Sequence, residues 1–277
     1  MSELQKVIKY LAIGFAAFLA FSIITGILTG FIALTGLFSG VNSGKTIDIN
    51  KSFDDVTSLS TEPGFGTLKF KVGDSDQVEV IAENVSENFV VEKNHNGKLT
   101  LKGKYNFWNI FGNNSGNGKS DITIYLPSDF VAEEVKIEAG AGNIDVEELT
   151  TKKLDINAGA GNISGRNITA SQVDLDGGVG DIDLEEVDLS NANIDCGVGN
   201  INLQGILLGK NKIECGVGEV DLTLKGSVED YNIKIDKGLG NISIDGEKYS
   251  EIKWNNASTD NSLDIDGGVG NIEIEFE

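Results

Sequence analysis

The chain has 277 residues, with 35 glycines but only 2 prolines, and its formal net charge is −21 at pH 7. So acidic a surface repels phosphate groups, which argues against a nucleic-acid-binding protein. With one histidine and two cysteines, the chain has no His or Cys cluster for a metal site, and a catalytic triad would depend on His95 alone.

The N-terminal part contains a long uncharged run, 10–38, rich in Ile, Leu, Phe and Ala. It exceeds the roughly 20 residues that cross a bilayer and the roughly 7–15 apolar residues of a cleavable signal peptide. We therefore predict a cytoplasmic N-terminus over 1–9, a transmembrane signal anchor over 10–38 and a linker over 39–52. Lys6 and Lys9 precede this run, and Lys45 and Lys51 follow it. Because the first pair lies closer to the helix end and the β body is bulky, we expect a single-pass cell-membrane protein whose C-terminal body is extracellular.

Within that span, Gly26 and Gly30 have the small-xxx-small spacing that lets two helices pack closely. The spacing suggests a homodimer through the anchors. A generic glycine-containing span is the favoured alternative, because such pairs are frequent in membrane helices.

Residues 53–130 show alternating apolar positions but no regular glycine phrase, apart from a degenerate copy at 64–68. We predict an irregular β section that caps the first coil of the body. Two aromatic insertions interrupt the β pattern. For the first, a cover over the open end of the fold is favoured over an exposed loop that contacts a partner or lies on the membrane. For the second, we predict a partner contact, because insertions in solenoids often gather on one face. The aromatic residues are Tyr105, Phe107, Trp108 and Phe111 in the first, and Tyr249 and Trp254 in the second.

Residues 131–277 repeat a five-residue phrase of the form G-x-G-[N/D/E]-[I/V]. The phrase begins seven times, at residues 140, 159, 178, 197, 216, 238 and 268. The first five copies are evenly spaced, and the last two intervals are longer. A fixed period in this range is typical of a solenoid. The sequence therefore predicts an all-β, single-stranded parallel β-solenoid of about seven coils, with the β cap section and the transmembrane helix before it.

Each repeat alternates apolar and polar residues and then changes phase at the glycine phrase. In the first repeat, Val135, Ile137, Ala139 and Ala141 share one face, and Ile144 takes the apolar role after the corner. When the repeats are stacked in chain order, aliphatic columns before and after the corner fill the coil. The corner column of Asn, Asp or Glu residues is interpreted as a structural hydrogen-bonded ladder.

A second column, two residues before each phrase, faces outward and is acidic in six of seven repeats. A divalent cation such as Ca²⁺ would find hard oxygen ligands there, so this column is a candidate metal site. The favoured alternative is a set of exposed carboxylates that attract only diffuse counterions. The candidate ligands are Glu138, Asp176, Asp195, Glu214, Asp236 and Asp266.

Cys196 and Cys215 lie one full repeat apart and take the same position in successive repeats. Stacked neighbours would bring their Cα atoms within disulfide range. Small apolar fillers are the favoured interpretation, and a disulfide is the alternative.

The uncharged N-terminal run, the β segment from Asp121 to Pro127 and the serial G-x-G-[ND]-I units resemble the bacterial DUF4097 "putative adhesin" family over about residues 53–277. The resemblance implies a β-helix-like body associated with the bacterial envelope and its stress responses, and no catalytic residues to carry over.

Taken together, the sequence predicts a non-enzymatic, membrane-anchored surface scaffold or adhesin-like module. Its partner would be an envelope protein or a glycan. A cation-binding module is the alternative function. A carbohydrate lyase is disfavoured, because Arg166 is the only arginine and no basic cluster accompanies the acidic column.

Overall fold

Short parallel strands, joined in sequence by tight turns, build the structure. A computed structural model describes residues 46–103, 120–254 and 259–277, and these belong to one compact unit. The strands are β1 (Thr46–Phe53), β2 (Ser58–Val72), β3 (Val78–Ser86), β4 (Val90–Lys93), β5 (Lys98–Lys102), β6 (Ser120–Leu126), β7 (Val131–Val146), β8 (Leu149–Ala160), β9 (Ile163–Arg166), β10 (Ile168–Val179), β11 (Ile182–Ser190), β12 (Ala192–Val198), β13 (Ile201–Leu208), β14 (Lys210–Val217), β15 (Val220–Leu224), β16 (Asn232–Leu239), β17 (Ile242–Ile244), β18 (Glu247–Tyr249), β19 (Ile252–Trp254), β20 (Ser262–Val269) and β21 (Ile272–Phe276).

Each repeat forms one coil, with one strand before the glycine phrase and one after it. In the third repeat these are β10 and β11, and they pair in parallel with β12 and β13 of the next repeat. Residues one period apart face each other, as Leu175 faces Ile194 and Ile182 faces Ile201. The solenoid prediction is therefore confirmed for the repeat region.

The two predicted aliphatic columns form the core. Because residues one period apart stack directly, each β-branched or Leu side chain packs on its counterpart in the neighbouring coil, away from water. The column before the corner and the column after it are buried throughout: Ile137, Ile156, Leu175, Ile194, Ile213, Ile265 and Ile235, and Ile144, Ile163, Ile182, Ile201, Val220, Ile272 and Ile242.

The last two coils do not stack in chain order. β14 pairs with β20, and β20 pairs on its other side with β16. The second strands follow the same order, since β21 lies between β15 and β17. The coil of the seventh phrase is thus inserted between those of the fifth and sixth. The C-terminal strand is paired on both sides and is not the open final strand that stacking in chain order would give.

Antiparallel strands cover both ends of the stack. At one end, β18 and β19 pair with β17 and β16, the strands of the outermost coil. At the other end, β2 lies beside β7 and on its far side pairs in parallel with β5 and β6. β4 then pairs antiparallel with β5, and β3 pairs antiparallel with β6. β1 then pairs with β3. These covers satisfy backbone groups that would otherwise form open edges.

The degenerate phrase at residues 64–68 is a true coil. Gly66 stands opposite Gly142, Thr67 opposite Asn143 and Leu68 opposite Ile144. The predicted cap section 53–130 therefore contributes one solenoid layer of its own, β2, in addition to the capping strands.

The prediction of a transmembrane helix before the β body is wrong, and the expected fold class is corrected here. Over residues 46–103, 120–254 and 259–277 the helical content is one 3-10 turn, Val228–Asp230, and no helix there is long and apolar enough to cross a membrane. Residues 10–38, with Gly26 and Gly30, lie outside the described residues. The signal anchor, the single-pass membrane location, the extracellular body and the anchor-mediated homodimer are accordingly withdrawn.

The second glycine of each phrase faces bare backbone in the neighbouring coil. Gly199 has φ of 146°, and a Cβ built on it would lie 2.0 Å from the carbonyl oxygen of Gly180. The same contact continues through the exchanged coils, where the Cβ would lie 1.6 Å from the Gly218 oxygen at Gly270 and 1.7 Å from the Gly270 oxygen at Gly240. A side chain at this point would therefore force the coils apart.

We predict that Gly199→Ala lowers the free energy of unfolding by more than about 3 kcal/mol, because it adds a backbone clash to a disfavoured φ. Gly246→Ala is the matched control: its φ is 77°, but nothing lies within 4 Å of the added Cβ. It should cost only about 1 kcal/mol. Urea denaturation of the two variants measures the difference, and equal losses would contradict the close-contact explanation.

Candidate functional site

The corner column is a structural ladder, as predicted. The side-chain oxygens of Asn143, Asn162, Asp181, Asn200 and Asn271 each accept a hydrogen bond from the backbone amide of the corner residue in the next coil. Glu219 instead accepts from the side-chain amide of Asn271 at 3.1 Å. Asn162 N donates to Asn143 Oδ1 at 3.3 Å, Asn200 N to Asp181 Oδ1 at 2.8 Å, and Glu219 N to Asn200 Oδ1 at 3.0 Å. These acceptors are occupied in holding the coils together, which leaves the functional surface to the neighbouring columns.

An exposed apolar column runs beside this ladder, and the sequence reading missed it. It consists of the residue between the two glycines of each phrase. Ala141 is predicted to share the face of Val135, Ile137 and Ala139, but it is only half-buried, because buried and exposed positions stop alternating after Ala139. The members, which we call the apolar stripe, are Ala141, Ala160, Val179, Val198, Val217, Val269 and Leu239 in stacking order.

The stripe is visible to solvent along its length. The exposed fractions are 42% for Val179, 46% for Val217 and 37% for Val269. A sequence signal existed: the x of G-x-G is Ala, Val or Leu in all seven copies. Simple alternation places these side chains in the interior, but alternation stops at the first glycine: in β10, Gly177 is buried and Val179 is exposed.

The predicted acidic column stands on the first-strand face, in the order Glu138, Asn157, Asp176, Asp195, Glu214, Asp266 and Asp236. Lysines two residues earlier in the chain pair with three of its members, the two at the ends and Glu214. Lys136 Nζ lies 2.6 Å from Glu138, Lys212 pairs with Glu214, and Lys234 lies 2.7 Å from Asp236. Asp176 instead accepts a hydrogen bond from Asn157 Nδ2 at 3.3 Å.

These contacts stabilise the charged forms of the lysines. The hydrogen bond to Glu138 raises the pKa of Lys136 above its usual value, and hydrogen bonds to Asp236 and Asp264 do the same for the pKa of Lys234. Both ammonium groups are exposed, so screening by water keeps their contribution to stability small. The column is therefore partly neutralised at its ends, with Asp176 and Asp195 adjacent at its centre.

The described residues contain no group of three or more His, Cys, Asp or Glu side chains placed to hold a metal ion. Calcium binding by Glu138, Asp176, Asp195, Glu214, Asp236 and Asp266 stays a prediction from the sequence. Carboxylates already bonded to lysine are weaker candidates for a cation, which leaves Asp176, Asp195 and Asp266. Of these three, only Asp176 and Asp195 are direct neighbours, so they are the stronger candidate pair.

Calorimetric titration with calcium tests this hypothesis. If the column binds the ion, the full-length chain should release or absorb heat and melt at a higher temperature in millimolar calcium. Both effects should disappear in Asp176→Asn/Asp195→Asn and persist in the matched control Glu83→Gln/Glu92→Gln, which changes the same net charge elsewhere. An absence of heat in the unmodified chain would contradict calcium binding.

The two cysteines are buried neighbours in β12 and β14, and both are free thiols in this structure. Each Sγ donates to a glycine carbonyl of the adjoining corner, Cys196 to Gly180 and Cys215 to Gly199, both at 3.4 Å. The hydrogen bond with Cys215, together with burial, raises the pKa of Cys196. Both thiols fill interior positions, as the small-filler interpretation expects, and a disulfide between them stays a prediction. A buried thiol held protonated, as at Cys196, is a poor nucleophile.

Of the predicted contact aromatics, Tyr249 and Trp254 lie on the capping strands β18 and β19. Their rings meet edge to face with centroids 5.3 Å apart, and both pack against the core. Tyr249 and Trp254 therefore help to cover an end of the stack, which the sequence did not predict for this insertion, and their contact with a partner stays a prediction. Tyr105, Phe107, Trp108 and Phe111 lie outside the described residues.

The second-strand face carries an open groove of about 500 Å³. Its lining includes carboxylates on β11, β15 and β21, such as Asp183, Asp221 and Glu273, with amides and a threonine, and these described lining residues include no His, Cys, Lys or Arg. Its carboxylates are exposed or half-buried, whereas a general-acid carboxyl is normally set in an apolar, water-excluding pocket. The lining residues form none of the nucleophile–base pairs of covalent catalysis.

A family model, Toastrack DUF4097, matches residues 58–275. This range contains the stacked coils, the glycine ladder and the corner ladder. The chain belongs to the Toastrack DUF4097 family. The match begins at β2 and ends within β21, so the family unit includes the capping strands as well as the regular repeats. The family named from the sequence is thereby confirmed.

Several solved structures are similar to this Toastrack chain. One is described as a "putative cell adhesion protein" of Clostridium sporogenes, with 20% identity, 84% of this chain and 100% of that chain covered, and a TM-score of 0.38. Another is a "putative adhesin" of Bacteroides fragilis, with 15% identity, coverage of 85% and 100%, and a TM-score of 0.45. A third is a "putative lipid binding protein" of Parabacteroides distasonis, with 12% identity, coverage of 83% and 97%, and a TM-score of 0.30. No curated protein matches the sequence.

Proposed function

We propose that this Toastrack chain is a non-enzymatic, adhesin-like interaction scaffold that presents a periodic surface to an envelope protein or glycan. The observation that carries the proposal is the register of the coils. Residues one period apart stand directly opposite each other, so each outward position of the repeat becomes a straight column on the surface. An extended partner could therefore make the same contact repeatedly along the stack.

The surface chemistry supports binding rather than catalysis. The exposed columns hold carboxylates, amides and small apolar side chains, and the two cysteines are buried. Repeated identical contacts suit recognition of a partner over several coils, whereas catalysis needs one unlike set of groups converging on one atom. The glycine and corner ladders would keep the columns rigid, which lowers the entropy cost of binding.

Capture from envelope extract, run beside a turnover assay, tests this proposal. The immobilised full-length chain should retain a protein or glycan whose mass is unchanged after elution. Asp183→Asn/Asp221→Asn/Asp176→Asn/Asp195→Asn should retain less than about a third as much, because it neutralises two exposed columns. Glu83→Gln/Glu92→Gln/Asp129→Asn/Glu148→Gln, which changes the same charge elsewhere, should retain the normal amount.

Two results would contradict the proposal. One is the appearance of cleaved or modified products from the extract in the presence of the chain, which would indicate an enzyme. The other is capture that is equal for the unmodified chain, both variants and the heat-denatured chain, which would indicate adsorption unrelated to the folded surface.

A further inference from the structure

The apolar stripe is continuous over seven coils. Each member stands in register with the next, as Val179 with Val198 and Val198 with Val217, and the exchanged coils preserve the line through Val269 to Leu239. Neighbouring coils are about 4.8 Å apart, so the stripe is about 29 Å long. It is a line of apolar side chains on the surface of a chain whose net charge is −21.

Glycines flank every member of the stripe, so the adjacent positions in the chain supply no side chain that could cover it. In the fourth coil these are Gly197 and Gly199 around Val198. The glycines are required by the backbone contact between coils, but the choice of Val or Leu between them is not, since alanine occupies that position in the first two coils. A long exposed apolar feature of this kind marks an interaction surface.

Acidic columns lie on both sides of the stripe. On the first-strand side, three residues back along the chain, stand Asp176, Asp195 and Asp266. On the second-strand side, four residues forward, stand Asp183 and Asp221 with Glu273, and the corner column between adds Asp181 and Glu219. At about 3.4 Å per residue, the first-strand column is roughly 10 Å from the stripe along the strand, and the second-strand column, beyond the corner, is at most roughly 14 Å away. The surface is therefore apolar in the middle and negative on both margins.

The charge on the margins selects the occupant. A second copy of the chain would bring two sets of carboxylates together, and an anionic lipid surface would be repelled in the same way. A polypeptide with an apolar face bordered by Lys or Arg is complementary to this surface, because its apolar face matches the apolar stripe and its cations match the carboxylates on both margins.

The spacing selects an α-helix for that polypeptide. One turn of an α-helix rises by about 5.4 Å, close to the roughly 4.8 Å between coils, so apolar residues at i, i+3, i+4 and i+7 can follow the stripe for several turns. Side chains on one face of an extended strand repeat at about 6.8 Å and lose register within two or three coils. A helix matching the full stripe would have about 20 residues.

We propose that the apolar stripe and its two acidic margins form a docking surface for a basic amphipathic helix of a partner protein. The inference rests on the proposed scaffold function and specifies its partner. The apolar face of the helix packs on Val179, Val198 and Val217, and its basic residues bond to the marginal carboxylates. Because the rise of one helical turn only approximates the coil spacing, the central coils make the tightest contact.

Fluorescence anisotropy with a synthetic probe tests the proposal on the full-length chain. The probe is a helical peptide of about 20 residues with leucine along one face and lysine elsewhere. It should bind, and binding should weaken with rising salt. A peptide with glutamate in place of lysine, and a peptide of the same composition in scrambled order, should each bind at least about tenfold more weakly, because one lacks the charge and the other the apolar face.

Matched variants locate the binding to the stripe. Val179→Thr/Val198→Thr/Val217→Thr should weaken binding at least about tenfold while changing the melting temperature little, because Val179 and Val217 are exposed and Val198 is only half-buried. The control is Val131→Thr/Leu208→Thr, whose residues are 60% and 42% exposed but lie outside the stripe. Asp176→Asn/Asp195→Asn/Asp266→Asn should weaken binding and flatten its salt dependence, whereas Glu83→Gln/Glu92→Gln/Asp129→Asn should do neither.

Several outcomes would overturn the proposal. The scrambled peptide could bind as tightly as the helical lysine peptide, or the stripe variant could bind that peptide as tightly as the unmodified chain does. The lysine peptide could also fail to bind at low salt. Sedimentation that shows a dimer dispersed by the stripe variant would assign the surface to a second copy, and stripe-dependent binding to phosphatidylcholine vesicles would assign it to lipid. If the peptide fails while capture from envelope extract persists, the docking surface is wrong and the scaffold function stands.

Discussion

The contact between glycine backbones of neighbouring coils is the constraint on which the structure depends. At Gly142, Gly161, Gly180 and Gly199 the chain turns with positive φ, and a Cβ at each would lie within 2.2 Å of a carbonyl oxygen in the next layer. Only a residue without a side chain allows this approach. Because the contact recurs at one point in each coil, it aligns the coils and so sets the register of the other columns.

The surface follows from that alignment. The corner residue is placed where its side chain can accept the amide of the next coil, and the residue between the two glycines is turned outward. Carboxylates and lysines on the first strands meet as ion pairs along the column, as Lys234 does with Asp236 and with Asp264 at 3.0 Å. A fold constraint thus generates a rigid, repeating, acidic surface with an apolar line, which is a suitable surface for repeated contact with an elongated partner.

The sequence predicted the coil, the two core columns and the corner ladder, because each depends on local alternation and on a constant period. It did not predict the order of the last coils. The fifth, sixth and seventh phrases have the same pattern of glycines and aliphatic residues. The local pattern therefore does not indicate which of these coils stacks on which. The antiparallel strands β18 and β19 require the sixth coil at the end of the stack, and that pairing is long-range. The apolar stripe was not predicted because alternation, which would place Ala141 on the face of Ala139, stops at the glycine phrase.

Engineered disulfides measure the coil order most directly. In a Cys196→Ala/Cys215→Ala background, Lys212→Cys/Asp264→Cys joins residues that face each other in adjacent coils, with Cα atoms about 5 Å apart and within disulfide range. Lys212→Cys/Lys234→Cys joins residues two coils apart, about 9.6 Å, which is too far. The inserted order predicts rapid cross-linking of the first pair and none of the second. The reverse result would show that the coils stack in chain order.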